Sequence, residues 1–191
     1  TMWGTGDSGY SIDQGETKVS EEEFEKIHLS VYEEAVKAGV KTVMVSFSSF
    51  EGIKMHEHKY LVQDVLKGRM GFKGFVVSDW EGVHQIKGKN FYQQLVSAVN
   101  AGVDMFMEPM KWKDCYNNLR EAVEKGDISQ ERLDDAVGRI LTVKIEMGVL
   151  ENPLGYQSLA AQELGMDENI EIAREAVRKS MVLLKNNNVL P

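Results

Sequence analysis

The chain has 191 residues, 42% of them apolar, one cysteine and a formal net charge of -8. That length suits one full domain or part of a larger one, and the apolar content argues against general disorder. The acidic balance and the lack of any long basic run argue against a nucleic-acid partner, and the single Cys115 excludes an internal disulfide framework or a Cys-cluster metal site. No apolar run approaches the roughly 18 residues of a membrane span, so no membrane role is expected. No leader peptide is visible, but Thr1 need not be a native start, and the compartment stays open.

Residues 1–19 are rich in Gly, Ser, Thr and Asp, which is loop chemistry, and long for a connector. Within it, Gly6-Asp7-Ser8-Gly9 reads as a candidate polar site loop without phosphate-loop spacing. Ser20 and Glu23 have capping-box spacing, and Phe24, Ile27, Val31 and Ala35 follow at helical period until Gly39. Thr42 to Phe47 reads as a buried strand, followed by a loop at Ser48–Gly52. A helix over 57–69 has Tyr60, Leu61, Val65 and Leu66 as its face. Phe75-Val76-Val77 is a glycine-bounded apolar run, read as a strand buried on both faces and ending in Ser78-Asp79-Trp80. A helix near 90–101 presents Phe91, Leu95, Val96 and Val99. A third strand is expected at Val103–Met107, then a helix near 111–125 facing inward through Trp112, Cys115, Tyr116, Leu119 and Val123. Ser129 caps a further helix carrying Leu133, Ala136, Val137, Ile140, Leu141 and Val143. Residues 151–166 read as an irregular connector, 168–180 as a last helix, and Met181–Lys185 as an apolar run before the chain stops.

Strands alternating with helices long enough to cross back over a sheet are the pattern of right-handed βα units around a parallel sheet. Three strands are clear, and the opening loop has the character of the exit from a fourth. Four βα units are half of an eightfold barrel, and an isolated half leaves two sheet edges open. Those edges are expected to favour homo-oligomers.

Asp79 at the C-terminal tip of a strand, beside Trp80, is placed where (β/α) barrels do chemistry. The competing reading makes Asp79 a cap for the next turn. Phe47, Trp80 and the methionines Met105, Met107 and Met110 either line a site mouth, with aromatics that suit sugar rings, or fill core. His56 and His58 flank Glu57 at a spacing that points them apart on a helix and lacks a zinc pattern; His28 and His84 are isolated and read as surface or structural. No Gly-x-Ser-x-Gly elbow occurs, and Cys115 falls in a helix, so acyl transfer has no nucleophile.

At Gly74-Phe75-Val76-Val77-Ser78-Asp79-Trp80 the chain resembles family 3 glycoside hydrolases, in the β-glucosidase and β-glucan exohydrolase branch. Thr42–Phe50 with Gly52, Lys54-Met55-His56 with Leu61, Leu66 and Lys67, and Ala101–Met105 match that family in order. So do Arg132–Val137 with Arg139–Leu141, and Ala173–Ser180 through Leu183–Asn186. The resemblance implies a (β/α)8 TIM-barrel type fold, with residues 1–150 as the last four βα units and 151–191 as a linker toward a second domain. It implies a retaining exo-acting β-glucosidase with Asp79 as nucleophile and Trp80, Phe47, Met44, Met107 and Asp7 around the sugar. No cofactor or metal is implied. The partner is a β-glucan or β-gluco-oligosaccharide, the second domain supplies the acid/base, and the family is often secreted or periplasmic. Two features depart from the pattern: Phe47 stands where many members have Tyr, and Met2-Trp3 stand where a Lys-His pair is expected. The N-acetylglucosaminidase branch carries a His-containing loop with an Asp-His dyad; that loop motif is not found, which ranks this branch second. A catalytically silent fragment that self-associates and, more weakly, a carbohydrate-binding module are the remaining alternatives.

Overall fold

The computed structural model of the chain describes residues 14–155 and 163–190. The chain divides into two compact units, Thr1–Met147 and Gly148–Pro191. In the first, β1 (Glu16–Thr17) precedes a continuous helical stretch: α1 (Glu21–Phe24), a wide π turn (Glu25–Leu29) and α2 (Ser30–Lys37). Ser20 caps it, its hydroxyl accepting the Glu23 N–H at 3.2 Å. Then come β2 (Thr42–Met44), β3 (Ser49–Phe50), β4 (Ile53–Lys54), a short 3-10 turn (Met55–Glu57) and a π-helix (Tyr60–Arg69). After β5 (Phe75–Val77) and a second 3-10 turn (Gly82–Gln85) follow α3 (Phe91–Ala101), α4 (Trp112–Lys125) and α5 (Gln130–Glu146). Asn90 and Gln93 form a reciprocal capping box at the start of α3, and Ser129 caps α5.

The central lane is β5. It pairs in parallel with β2, Thr42 opposite Phe75 and Met44 opposite Val77. Gly74 makes the close start possible: a Cβ there would lie 2.0 Å from the Lys41 carbonyl oxygen, which accepts the Phe75 N–H. On its other side β5 meets the segment 103–107, but only through one parallel bridge, Val77 to Met105. The expected third strand is therefore a single bridge. The Asp104 and Met105 N–H groups both donate to the Val76 carbonyl, and the Met107 N–H goes to the Ser78 hydroxyl instead of to a carbonyl. A side chain has taken a rung of the ladder. β1 does not join this sheet; it pairs with β3, which pairs antiparallel with β4. The described residues are thus mixed α/β with parallel strand pairing and no closed barrel.

Val76 is fully buried, and with Val45, Leu66, Phe72, Leu95 and Val103 it forms the main core between sheet and helices. Phe75 and Val77, on the opposite face of β5, are only half-buried, so the strand is not buried on both faces. β2 likewise differs from the buried strand expected, since Thr42 and Met44, on the face they share with Phe75 and Val77, are exposed. Several apolar helix faces are also open: Ile27 and Val31 on the first helix, Trp112 and Tyr116 on α4, and Val137 and Leu141 on α5. Helical period identifies these faces correctly as apolar, yet nothing among the described residues covers them. In the second unit, α6 (Asp167–Ser180) buries none of its residues, and 181–190 is exposed.

Candidate active site

β5 ends in a buried serine that fastens two strand ends together. The Ser78 N–H donates to the Met105 carbonyl at 2.9 Å, and its hydroxyl accepts the Met107 N–H at 2.7 Å. Asp79 comes next, at the tip. Its carboxylate Oδ1 accepts the Trp80 N–H at 2.6 Å, and its carbonyl accepts the Gly82 N–H at 3.1 Å. The carboxylate is thus engaged by the N–H of the next residue, while Trp80 stands 57% exposed. Glu81 closes the turn in a left-handed conformation, φ 50°, an uncommon state for a non-glycine residue. Its N–H donates to the Met107 carbonyl at 2.9 Å.

The Asp79 N–H donates to His56 Nε2 at 3.0 Å. His56 is completely buried on the 3-10 turn Met55–Glu57, with its ring against Gly82: a Cβ at Gly82 would lie 2.3 Å from Nε2. Burial, helped by the nearby Lys54 cation, pushes the imidazole down to about 4. A ring nitrogen that accepts a backbone N–H must be unprotonated, so the ring proton sits on Nδ1, which is buried without a partner among the described residues. Lys54 ties the surroundings together. Its ammonium donates to the Phe47 carbonyl at 2.6 Å, to Gln85 Oε1 at 3.0 Å and to the Gln14 carbonyl at 3.3 Å. The Phe47 ring lies 6.3 Å from that of His56.

Behind β5 sits a buried ionic cluster. Asp104 Oδ2 accepts the Val76 N–H at 2.8 Å, while Oδ1 accepts Lys67 Nζ at 2.7 Å and Arg132 Nη2 at 2.5 Å. Burial pushes the Lys67 ammonium down to about 8 against the opposing pull of Asp104. Arg139, also from α5, donates to the Phe72 and Gly74 carbonyls just before β5. The strand carrying Asp79 is therefore pinned from below by side chains of α5 and the π-helix.

Of the residues singled out in the sequence, Asp79, Trp80, Met107 and Phe47 converge on one end of the β2–β5 sheet. Met44, at the end of β2 opposite Val77 two residues short of Asp79, also lines a cavity of about 70 Å³ whose other walls include Phe24, Tyr32, Met55 and Leu66. Asp7 falls outside the described residues. His84 is not isolated as expected; its Nε2 lies 3.1 Å from Glu108 Oε2. The spacing of His56 marks it only as a weak metal candidate and does not disclose its contact with Asp79. The one signal for it is the Lys54-Met55-His56 stretch, since no periodicity brings residue 56 to residue 79. Among the described residues no cluster of three or more His, Cys, Asp or Glu is arranged to hold a metal ion.

Comparison with known proteins points to one family. The profile of the glycosyl hydrolase family 3 N-terminal domain matches residues 3–143. A β-xylosidase of Formosa agariphila is 32% identical over 94% of this chain and 26% of its own length. Among solved structures, an exo-1,3/1,4-β-glucanase from a Pseudoalteromonas species superposes with a TM-score of 0.79 at 42% identity, covering 92% of this chain and 29% of that one. A mutant β-glucosidase from Listeria innocua, in complex with laminaribiose, gives a TM-score of 0.76 at 32% identity over 93% of this chain and 25% of that one. The chain thus spans about a quarter of the length of the proteins it matches.

Proposed function

The chain belongs to glycosyl hydrolase family 3, and from that membership we propose that it carries the nucleophile of a retaining, exo-acting β-glucosidase. The observation that carries this reading is Asp79 at the tip of β5, backed by His56 and followed by the exposed ring of Trp80. A carboxylate oxygen of Asp79 forms a bond to the anomeric carbon as the glycosidic C–O bond breaks, and the leaving oxygen takes a proton from a general acid. Water, deprotonated by that same group, then cleaves the glycosyl–aspartate ester and returns the sugar with retained configuration. Retention asks for a second carboxyl about 5–5.5 Å from the first. That acid/base belongs to a second domain beyond the linker 151–191. Residues 1–150 are read as the last four βα units of a (β/α)8 barrel.

Trp80 serves as the sugar platform, with Phe47 and Met107 as apolar walls. The substrate class is a β-glucan or β-gluco-oligosaccharide. The exo-β-glucanase and the laminaribiose-bound β-glucosidase among the structural neighbours support a β-1,3-linked glucoside, and the β-xylosidase relative makes aryl xyloside the competitor to include. The test is incubation with a 2-fluoro aryl β-glucoside and with its xyloside counterpart, followed by peptide mass spectrometry. A glucosyl adduct on Asp79, absent in Asp79→Asn, is expected. A well-folded sample that forms no adduct, or an adduct elsewhere, overturns the reading.

The uncovered apolar faces on the first helix, α4 and α5 favour a companion reading for these residues by themselves. They associate through their open edges and turn over no substrate. Sedimentation velocity that gives a monomer at micromolar concentration, together with a cooperative melt, would count against it.

A further inference from the structure

We propose that His84 and Glu108 are a proton-sharing clamp that holds the turn after Asp79 against the neighbouring strand end, making both of them positioning residues for Asp79 and Trp80. This rests on the reading of Asp79 and Trp80 as the site. The two residues come from separate segments: His84 from the 3-10 turn Gly82–Gln85, and Glu108 from just beyond the 103–107 segment. His84 Nε2 and Glu108 Oε2 are 3.1 Å apart, with only 2% of the Glu108 side chain and 25% of the His84 side chain exposed. Phe91 of α3 stacks on the imidazole at 4.4 Å between centroids and fixes its plane. Gln94 of α3 donates to the His84 and Ile86 carbonyls and steadies the backbone beneath it.

The clamp closes a ring of contacts that begins at the site. Glu81 donates its N–H to the Met107 carbonyl, the His84 N–H returns to the Glu81 carbonyl, and the His84 side chain reaches Glu108, one residue past Met107. The ring encloses Glu81, whose left-handed backbone is strained and relaxes if it is released. Glu108 Oε1 is buried with no hydrogen-bond partner among the described residues. A fully ionised carboxylate is costly in that setting, and a proton held between the two residues removes the cost.

The surrounding charges set the direction. Burial raises the Glu108 carboxyl above its usual range, and Glu81 adds to this, while His84 and Lys111 act against it. Cys115 of α4 faces the same carboxylate, and burial together with Glu108 pushes its thiol up to about 12, so it stays a neutral thiol. A carboxyl whose folded pKa is raised favours the folded state at acid pH, and that support fades as pH rises. The clamp is therefore tight at acid pH and loosens as pH rises.

The experiment reads Trp80 directly and needs no turnover, so its failure is separable from failure of the glycosidase reading. In the full chain bearing Trp3→Phe and Trp112→Phe, Trp80 is the sole tryptophan. Acrylamide quenching of Trp80 is followed from mildly acid to alkaline pH, with circular dichroism confirming the fold at each point. Trp80 is 57% exposed, so full release of the turn raises the quenching constant by at most about 1.8-fold, the ratio of complete to present exposure. Wild type should show that rise with pH. Glu108→Gln keeps a polar partner for His84 but cannot ionise, and should flatten the curve at its low value. Glu108→Ala should sit high at every pH. A flat wild-type curve in a folded protein, or the same rise in Glu108→Gln, overturns the proposal.

Discussion

The contact between His56 and the Asp79 N–H has a thermodynamic signature that can be calculated. The buried imidazole titrates at about 4 against an ordinary 6.5. The unfolded chain therefore takes up a proton first as pH falls. The stability tied to neutral His56 is complete above about pH 6.5, is lost progressively down to about pH 4, and is constant below that. At about 1.4 kcal/mol per pH unit the whole difference is about 3.5 kcal/mol, of which about 2.5 kcal/mol is lost between pH 7 and pH 4.5. His56→Gln keeps an acceptor for the Asp79 N–H at similar volume and cannot titrate. Urea unfolding of both proteins at the two pH values isolates the effect, because the carboxylates they share cancel. Wild type should lose about 2–3 kcal/mol more than His56→Gln on acidification. An equal loss in both proteins refutes the reasoning. Should the variant fail to fold, the Cε1 proton resonance of His56 in wild type serves instead, and a midpoint near 6.5 gives the same refutation.

Two further changes test the supports of β5. Asp104→Asn leaves Lys67 and Arg132 without their shared carboxylate and should cost about 3–5 kcal/mol in urea unfolding, the cost of breaking a buried pair from one side; a loss below about 1 kcal/mol would mean that water already reaches the cluster. Gly82→Ala places a methyl 2.3 Å from His56 Nε2, with a rigid ring opposite, and should cost about 1–3 kcal/mol and move the Asp79 amide resonance. A neutral substitution with an unchanged Asp79 amide would show that the ring and the turn are not in contact.

How much of this is legible in the sequence depends on the range of each interaction. Caps are local, and Ser20 and Ser129 do what their spacing implies, while the Asn90–Gln93 box is not among the sequence expectations. The parallel pairing of the Thr42 and Phe75 runs follows from apolar period and helix length. The weak points are places where a side chain overrides a pattern. Met105 lies in a run that reads as a strand, but the Ser78 hydroxyl diverts the Met107 N–H, and only one bridge survives. Likewise Met44 and Val31 are apolar at the correct period yet exposed. Period reports which face is apolar, not whether another segment lies within reach to cover it. His56 and Glu108 escape a sequence reading for a different reason: each acts on the site from a distant segment, 23 residues from Asp79 in one case and 24 from His84 in the other, and spacing carries no information about such contacts.

These distant contacts explain why Asp79 can be held in place at the end of so short a strand. β5 has three residues and one full pairing partner, too little backbone ladder to fix a carboxylate by itself. The position is set by side chains instead. Asp104 holds the Val76 N–H below it, Ser78 locks the adjacent strand end beside it, and His56 holds the Asp79 N–H itself. Each anchor belongs to a different segment, and two of the three have altered proton affinity at or next to them, since Lys67 is pushed down to about 8 and His56 to about 4. Acid attacks the placement through His56, whereas Lys67, pushed down by burial, binds its proton less tightly than in the unfolded chain, so losing it as pH rises does not oppose folding. Placement of the carboxylate is therefore bounded on the acid side by a buried residue that never touches a sugar, and loss at that limit should appear in the Asp79 amide resonance before any change in the fold as a whole.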